Sequence, residues 1–480
     1  MALALAAALC LASGFLLVSL AGARSGPRAM DLLFRGSLSV GFGLGFFSIT
    51  FFLFRILGFT NLFMGDLGGL ALLAANLLVL RRRSGAPDTG ASFPESGEPW
   101  PLWLRRTIAG AFAGALLAAL YSAIAQMRAH PQGDGWDAFA IWNLRARFLS
   151  GPHWRDGFTL LLSWSHPDYP LLLPAAIAHF WIYAGWDAPA VPAIIGLAFT
   201  FSTAGILCAA LCILRGRVQA MLGTMALLAT PSFIQQGTWQ YADVPLSFFI
   251  LATIALLCCY EERAQPDSQG PTGLLALAGV AAGFAAWTKN EGVLFLCAII
   301  LARQWTLIRR VAESGITGKP PFMRHSAPWL AAALPLFLLI VYFKHSIAPP
   351  GDLFSDATSI LHRLEQRGRY WAVIRWYGKE FLRFGEWLAI PGTLTLAGLY
   401  WAAGRGREAS PSPGRRASVQ GLVLTLAGYF LIYLITPYDI YWHLRFSLGR
   451  LFLQLWPSVI FLVFLSMPWS SGVSAEDVSK

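Results

Sequence analysis

Thirteen long apolar runs leave this chain few folds to choose from. They fall near 2–21, 37–58, 67–80, 107–127, 189–213, 218–231, 244–260, 272–288, 290–304, 327–343, 386–402, 419–436 and 450–467. A helix crossing the hydrocarbon core of a bilayer takes about 20 apolar residues. Only helices and closed barrels satisfy their backbone groups there. The expectation is an all-α polytopic membrane protein of about 13 transmembrane helices. The runs 67–80, 218–231 and 290–304 are short of a full crossing. Only 13% of the 480 residues are charged, against about 25% in soluble domains.

The net charge of +11 raises the question of nucleic acid. The Lys and Arg residues sit between apolar runs, where they set topology, and no basic stripe lies on a soluble domain. No nucleic-acid partner is expected. The six cysteines (Cys10, Cys208, Cys212, Cys258, Cys259 and Cys297) all lie inside apolar runs, with no Cys-x-x-Cys pair. They read as small buried hydrophobes, not as a disulfide framework or a zinc site. Positive charges follow the first run, at Arg24, Arg28 and Arg35, and none precedes it. That pattern suits a retained helix better than a cleaved signal peptide.

One further run, Leu171 to Tyr183, is short and contains His179. Counted as a span, it would send Arg215, Arg217, Arg309, Arg310, Arg405, Arg407, Arg415 and Arg416 to the outer side. Read as a helix at the membrane surface, it keeps them in the cytoplasm, as the positive-inside tendency asks. Two long loops, 128–188 and 344–385, then face outward, and long connections are usually functional. The stretches 84–101 and 403–418 read as cytoplasmic linkers, and 469–480 as a cytoplasmic tail. No internal repeat is visible, which weakens a repeat-built transporter.

The first outer loop carries GDGWDAF and then SWSHPDYPLLLP. Asp134 and Asp137 are three apart, so a helix starting near Asp134 would place both carboxylates on one face. Gly133 and Gly135 suit a turn there. Capping accounts for Asp134 better than for Asp137. Asp168 lies between Pro167 and Pro170, as a helix cap or as a carboxylate brought back beside the first pair. The loop is crowded with aromatic side chains, Trp136, Trp142, Trp164 and Tyr169 among them. These suit the membrane interface, or stacking against a sugar for one or two rings.

Ionisable residues at membrane depth are functional candidates. Asp243 opens the seventh run. Lys289 and Glu291 sit in a tight turn between the eighth and ninth. The last turn carries His443 and Arg445, with Arg450 at the start of the final run, where it needs a carboxylate or phosphate partner. The second outer loop holds Lys344, Arg363, Arg367, Arg369, Arg375, Lys379 and Arg383 among Asp352, Asp356, Glu365, Glu380 and Glu386. Such basic density fits a phosphate-bearing partner or anionic headgroups.

Together these residues resemble the GT-C superfamily of membrane glycosyltransferases. They look most like its glycosyltransferase 39-like group of protein O-mannosyltransferases, aminoarabinose transferases and lipopolysaccharide-core transferases. The features that carry the resemblance are the first-loop acidic pair, Asp168 beside its prolines, Asp243, and Arg450. The resemblance covers roughly 105–465 and leaves the first three runs outside. It implies a GT-C-like catalytic domain at 105–468 behind a three-helix extension and linker at 1–104. It also implies sugar transfer from a polyprenyl-phosphate donor to a glycan, lipid or protein acceptor on the outer face of a bacterial plasma membrane. On that reading Asp137 is the base, with Asp134 and Asp168 beside it. His166, Asp243, Lys289, Glu291, His443, Arg445 and Arg450 then contact substrate. A lipid phosphate is a good leaving group, so one base and compensating cations suffice. No metal ligand set is assigned; a divalent cation, Mg2+ or Mn2+, could supply part of the positive charge without being required. The rival is a transporter or lipid flippase, which would place its polar residues near the midplane.

Overall fold

The computed structural model describes residues 1–22, 26–59, 61–84, 100–263, 272–314, 320–351, 353, 357–385, 392–402 and 412–467. The linker stretches 85–99 and 403–411, the start of the 386–402 run and the tail 469–480 lie outside the described residues. Among the described residues the chain is helical throughout, with no strand. Among the described residues ten helices are long and apolar enough to cross a membrane, so this is an integral multi-pass membrane protein.

The first three helices are α1 (Ala2–Ser19), α2 (Arg28–Leu57) and α3 (Leu62–Ser84). Then comes α4 (Leu102–Ala129), followed by the first long loop with α5 (Leu144–Ser150) and α6 (Leu172–Ala184). The middle of the chain is α7 (Ala190–Arg215), α8 (Arg217–Leu228), α9 (Pro231–Thr238), α10 (Asp243–Arg263), α11 (Thr272–Thr288), α12 (Asn290–Ser314) and α13 (Pro320–Ser346). The second long loop holds α14 (Ala357–Glu365) and α15 (Arg367–Arg383), and α16 (Gly392–Ala402), α17 (Pro413–Ile435) and α18 (Ile440–Ser466) complete the chain.

Helix lengths correct the apolar reading in several places. The runs expected at 67–80 and 290–304 extend to full crossings as α3 and α12, because charged residues continue both helices. The run at 218–231 does not: α8 stops after 12 residues, and Pro231 starts a separate short helix. The final helix begins ten residues before Arg450, at Ile440, capped by Asp439, whose carboxylate accepts from the Trp442 N–H at 2.8 Å. Arg450 therefore lies well inside a helix and not at its start. The second long loop is itself largely helical, since α14 and α15 are amphipathic.

The 171–183 run forms α6, 13 residues long and too short to cross. It packs against α2 and α5. Helix α10 is the central post, with its whole candidate span buried, and it packs on α7, α11, α17 and α18. The N-terminal helices join the same core. Phe42 of α2 meets Phe284 of α11 edge to face at 5.7 Å. Such packed aromatic contacts each add about 0.5–1.5 kcal/mol beyond area burial.

Candidate active site

The site is built around Asp243, which is fully buried in the first turn of α10. A helix N-terminus favours a carboxylate, but a buried charge needs partners of its own. Asp243 has them on both oxygens. Its Oδ1 accepts from Lys289 Nζ at 2.9 Å and from Gln454 Nε2 at 2.6 Å. Its Oδ2 accepts from Arg450 Nε at 3.0 Å and Nη2 at 2.9 Å, two charge-assisted bonds to one oxygen. Lys289 sits at the break between α11 and α12, from which it also reaches Glu291 at 2.9 Å. Burial works against the charge on Lys289, yet the carboxylates of Asp243 and Glu291 hold its affinity for the proton above the ordinary lysine range. Arg450 and Gln454 are four apart on α18, so one helix face delivers both.

Asp137 joins this network from the first long loop. Gly133 and Gly135 adopt φ of +83° and +77°. A Cβ at Gly135 would lie 2.3 Å from Tyr241 Oη, so the turn requires glycine there. The helix begins at Trp136, after the turn. Asp134 therefore does not cap a helix at its own position; it lies in the bend, partly exposed, and the helical face expected to join it to Asp137 is not formed. The first helical residues form wide π-type turns over Ala138–Asn143 before α5. Asp137 Oδ2 meets Arg450 Nη1 at 2.6 Å, and both side chains remain 21% exposed. Tyr241 supports this contact, with the Arg450 guanidinium 4.7 Å above its ring. Burial, then the charge of Asp137, pushes the Tyr241 phenol up to about 12. Beside it Gln240, at a φ of +64°, ties the loop down: it accepts from Asn143 at 2.8 Å and donates to the Pro131 carbonyl at 3.2 Å.

Asp168 reaches the same place by another route. It does not cap α6, whose first turn is preceded by Leu171. Its Oδ2 accepts from Asn290 at 2.8 Å and faces Lys344 at 3.4 Å, while Lys344 also donates to Asn290 Oδ1 at 2.7 Å. Tyr169 next to it stacks on Trp142 at 5.6 Å and on His166 at 5.0 Å, and Lys289 lies 5.8 Å from its ring centre. Its phenol is held far above the usual tyrosine range by burial, then by the charges of Glu291, Asp168 and Asp137. The charges of Glu291, Asp168 and Asp137 thus all act on one phenol.

The structure therefore gathers Asp137, Asp168, Asp243, Lys289, Glu291, Arg450 and His166 in one place. His443 lies at its edge: its Nδ1 is 2.9 Å from Thr436 Oγ1 and its ring packs on Tyr433. Arg445 is exposed and lies over Phe446 instead. Gln454, Asn290 and Tyr241 belong to the site although the sequence did not single them out, and Lys344 and Tyr169, noted there only within a basic loop and an aromatic-rich one, join them. Among the described residues no group of three or more His, Cys, Asp or Glu side chains is placed to hold a metal ion.

Residues 178–346 match the family model described as dolichyl-phosphate-mannose-protein mannosyltransferase. Over that stretch the chain is similar to a glycosyltransferase 39-like family of the GT-C superfamily, as its residues suggested. The family implies a membrane glycosyltransferase dependent on a polyprenyl-phosphate sugar. The matched stretch contains Asp243, Lys289, Asn290, Glu291 and Lys344, whereas Asp137, Asp168 and Arg450 lie outside it. No curated protein and no solved structure matches the chain.

Proposed function

We propose that this protein transfers a sugar from a polyprenyl-phosphate carrier to a hydroxyl of a glycan, lipid or protein at the outer face of a bacterial plasma membrane. Asp137 is the base of that reaction. The observation that carries this reading is the chain of contacts from partly exposed Asp137 through Arg450 to buried Asp243. Arg450 grips Asp243 with two nitrogens and offers the third to Asp137. Arg450 orients the Asp137 carboxylate, which keeps part of its surface exposed, and general-base catalysis by such a group contributes about 10^2–10^4-fold.

In the step, the acceptor oxygen forms its bond to the anomeric carbon as its proton passes to Asp137. The bond from that carbon to the phosphate oxygen breaks, and the polyprenyl phosphate leaves with the electron pair. One base and no covalent sugar–protein intermediate give inversion at the anomeric carbon. Asp168, held by Asn290 and Lys344, fixes the turn that carries Tyr169 beside the reacting groups. A leaving phosphate calls for positive charge, and Lys289 and Arg450, with basic residues of the second long loop, are the candidates, while Arg445 lies over Phe446. Lys289 and Arg450 are already shared among three carboxylates, Asp137, Asp243 and Glu291.

The test is transfer from radiolabelled polyprenyl-phosphate sugars into membrane extract by purified protein, with Asp137→Asn alongside. We expect robust transfer by the native chain and a loss of about 10^2-fold or more in the variant. Equal transfer by both would remove Asp137 from the mechanism. Absence of transfer by the native chain, with sugar-lipid movement across vesicles instead, would favour the transporter reading.

A further inference from the structure

Behind the ionic cluster lies a tyrosine that the proposed reaction does not use. Tyr429 of α17 is fully buried. Its hydroxyl donates to Gln454 Oε1 at 2.7 Å, and among the described residues it makes no other hydrogen bond. Gln454 of α18 is fully buried as well, and its Nε2 donates to Asp243 Oδ1 at 2.6 Å.

The direction of these bonds is forced. Asp243 meets two cations, Lys289 and Arg450, so it stands as a carboxylate and only accepts. Gln454 must therefore turn its N–H toward Asp243, which leaves its carbonyl oxygen on the far side. A buried acceptor left unpaired there would be costly. Tyr429 is the donor that satisfies it. Turning the amide end for end would set oxygen against oxygen at Asp243. Without the Tyr429 hydroxyl the amide thus has no satisfied orientation.

The amide also does what Lys289 cannot. An ammonium is a rotatable point charge with three donors, and Lys289 is shared with Glu291. A planar amide held at both ends allows one direction of approach. It pins Asp243 Oδ1 and so fixes the rotation of the carboxylate. The other oxygen then faces Arg450 Nε and Nη2, and Arg450 Nη1 reaches Asp137. The path from Tyr429 to Asp137 is unbroken, with links of 2.7, 2.6, 2.9 and 2.6 Å.

Helix association alone can account for a buried bond between two membrane helices. The same pair of helices supplies the comparison. Tyr433 and Ser447 meet at 2.7 Å, also between α17 and α18, and that bond does not lead to Asp243.

We propose that Tyr429 and Gln454 are positioning residues, which orient Asp243 and, through Arg450, the Asp137 carboxylate without touching substrate. Their effect on rate rests on the transferase reading; the relay of hydrogen bonds does not.

The experiment uses the full chain in nanodiscs. Transfer rates and thermal midpoints are measured for the native chain, Tyr429→Phe, Gln454→Met, their double variant, Gln454→Glu and Tyr433→Phe. Loss of orientation should lower kcat about 10-fold in Gln454→Met, with the KM for the donor unchanged. Tyr429→Phe should lower kcat in the native background and do nothing further in Gln454→Met, because it acts only through the amide. Gln454→Glu can donate to Asp243 only while protonated, so it should outrun Gln454→Met at the acidic end of the pH profile. Tyr433→Phe should lower the midpoint but keep kcat within about twofold. Three results would each overturn the proposal: an equal loss of kcat in Tyr433→Phe, an undiminished effect of Tyr429→Phe in Gln454→Met, or a Gln454→Glu no faster than Gln454→Met at acidic pH. A native chain that transfers nothing would sink the transferase reading and leave the relay to the midpoints. Tyr429 and Asp243 share no hydrogen bond, so Tyr429→Phe and Asp243→Asn should be coupled in the midpoint only while Gln454 stands between them. Strict additivity of those two changes in the native background would overturn the relay itself.

Discussion

Replacing Asp243 by Asn tests the premise that one buried carboxylate organises the site. The change keeps the shape and removes the charge. Asp243 lies 2.9 Å from both Lys289 Nζ and Arg450 Nη2. At an effective dielectric constant of about 20, each contact is worth about 6 kcal/mol before desolvation. Most of that offsets the cost of taking the charges out of water. What remains when one partner of a buried pair is removed is about 3–5 kcal/mol. Here Lys289 keeps Glu291 and Arg450 keeps Asp137, so the loss should fall near the lower end, about 3 kcal/mol. For 480 residues, at about 2.1 cal/mol/K of unfolding entropy per residue, that is a fall of about 3 °C in the thermal midpoint. Tryptophan fluorescence of the detergent-solubilised protein would read it. Lys289→Met alone should be similarly damaging, because Asp243 and Glu291 then crowd without their shared cation. The two changes together should cost less than their sum by about 1–3 kcal/mol. Strict additivity, or an unchanged midpoint for Asp243→Asn, would refute the reasoning.

Gly135→Ala should destabilise by about 2–4 kcal/mol, from the left-handed backbone and from overpacking; Tyr241→Phe removes the oxygen 2.3 Å from the new Cβ, so the double variant should recover part of the loss. Tyr241 should titrate late: below about pH 10 its phenol is protonated in folded and unfolded chains alike, and between about 10 and 12 the unfolded chain loses the proton first, so stability falls with rising pH through that window. Absorbance at 295 nm should show one fewer late-ionising phenol in Tyr241→Phe, and an identical titration curve would contradict the burial. Cysteines placed at the exposed positions Leu160 and Trp186, in a Cys297→Ser background, should both label from outside the cell; labelling of 186 from inside alone would make α6 a true span.

The helices were legible because apolar runs and interrupting charges are local signals. The partners were not, because they are set by contacts across long separations. Arg450 needed an acid, and the sequence said so; that the acid is Asp243, 207 residues earlier, is a fact of packing. Asp168 and Asn290 meet across 122 residues. One further signal was available. His443, Ser447, Arg450 and Gln454 recur at intervals of four, three and four along α18, a polar stripe on one side of an apolar helix. The facing stripe on α17 is Tyr429 and Tyr433, whose hydroxyls reach Gln454 and Ser447, both at 2.7 Å. Following that periodicity would have found Gln454. Asp134 misled because its spacing from Asp137 is helical, whereas Gly135 at positive φ postpones the helix until both residues no longer share a face.

The N-terminal helices lie outside the family match, yet they hold the frame on which the site is mounted. Ser48 of α2 accepts from Trp287 Nε1 at 3.0 Å and donates to the Leu171 carbonyl at 3.2 Å. Trp287 is two residues before Lys289, and Leu171 is three after Asp168. One buried hydroxyl therefore ties together the two turns that supply a cation and a carboxylate to the cluster. A second tie lies further along α6. His179 Nδ1 meets the Phe47 carbonyl at 3.1 Å, and its Nε2 meets Asp66 of α3 at 2.9 Å, where Tyr183 donates as well at 2.6 Å. With a carbonyl oxygen on one ring nitrogen and a carboxylate on the other, the imidazole and Asp66 must together hold a proton on each side of the ring. Such a fully buried arrangement admits one geometry and loses much if any member moves. It clamps α6, and through α6 the segment carrying Asp168 and Tyr169, against helices α2 and α3. The position of the first-loop carboxylates is thus inherited from helices in which the sequence shows no catalytic residue.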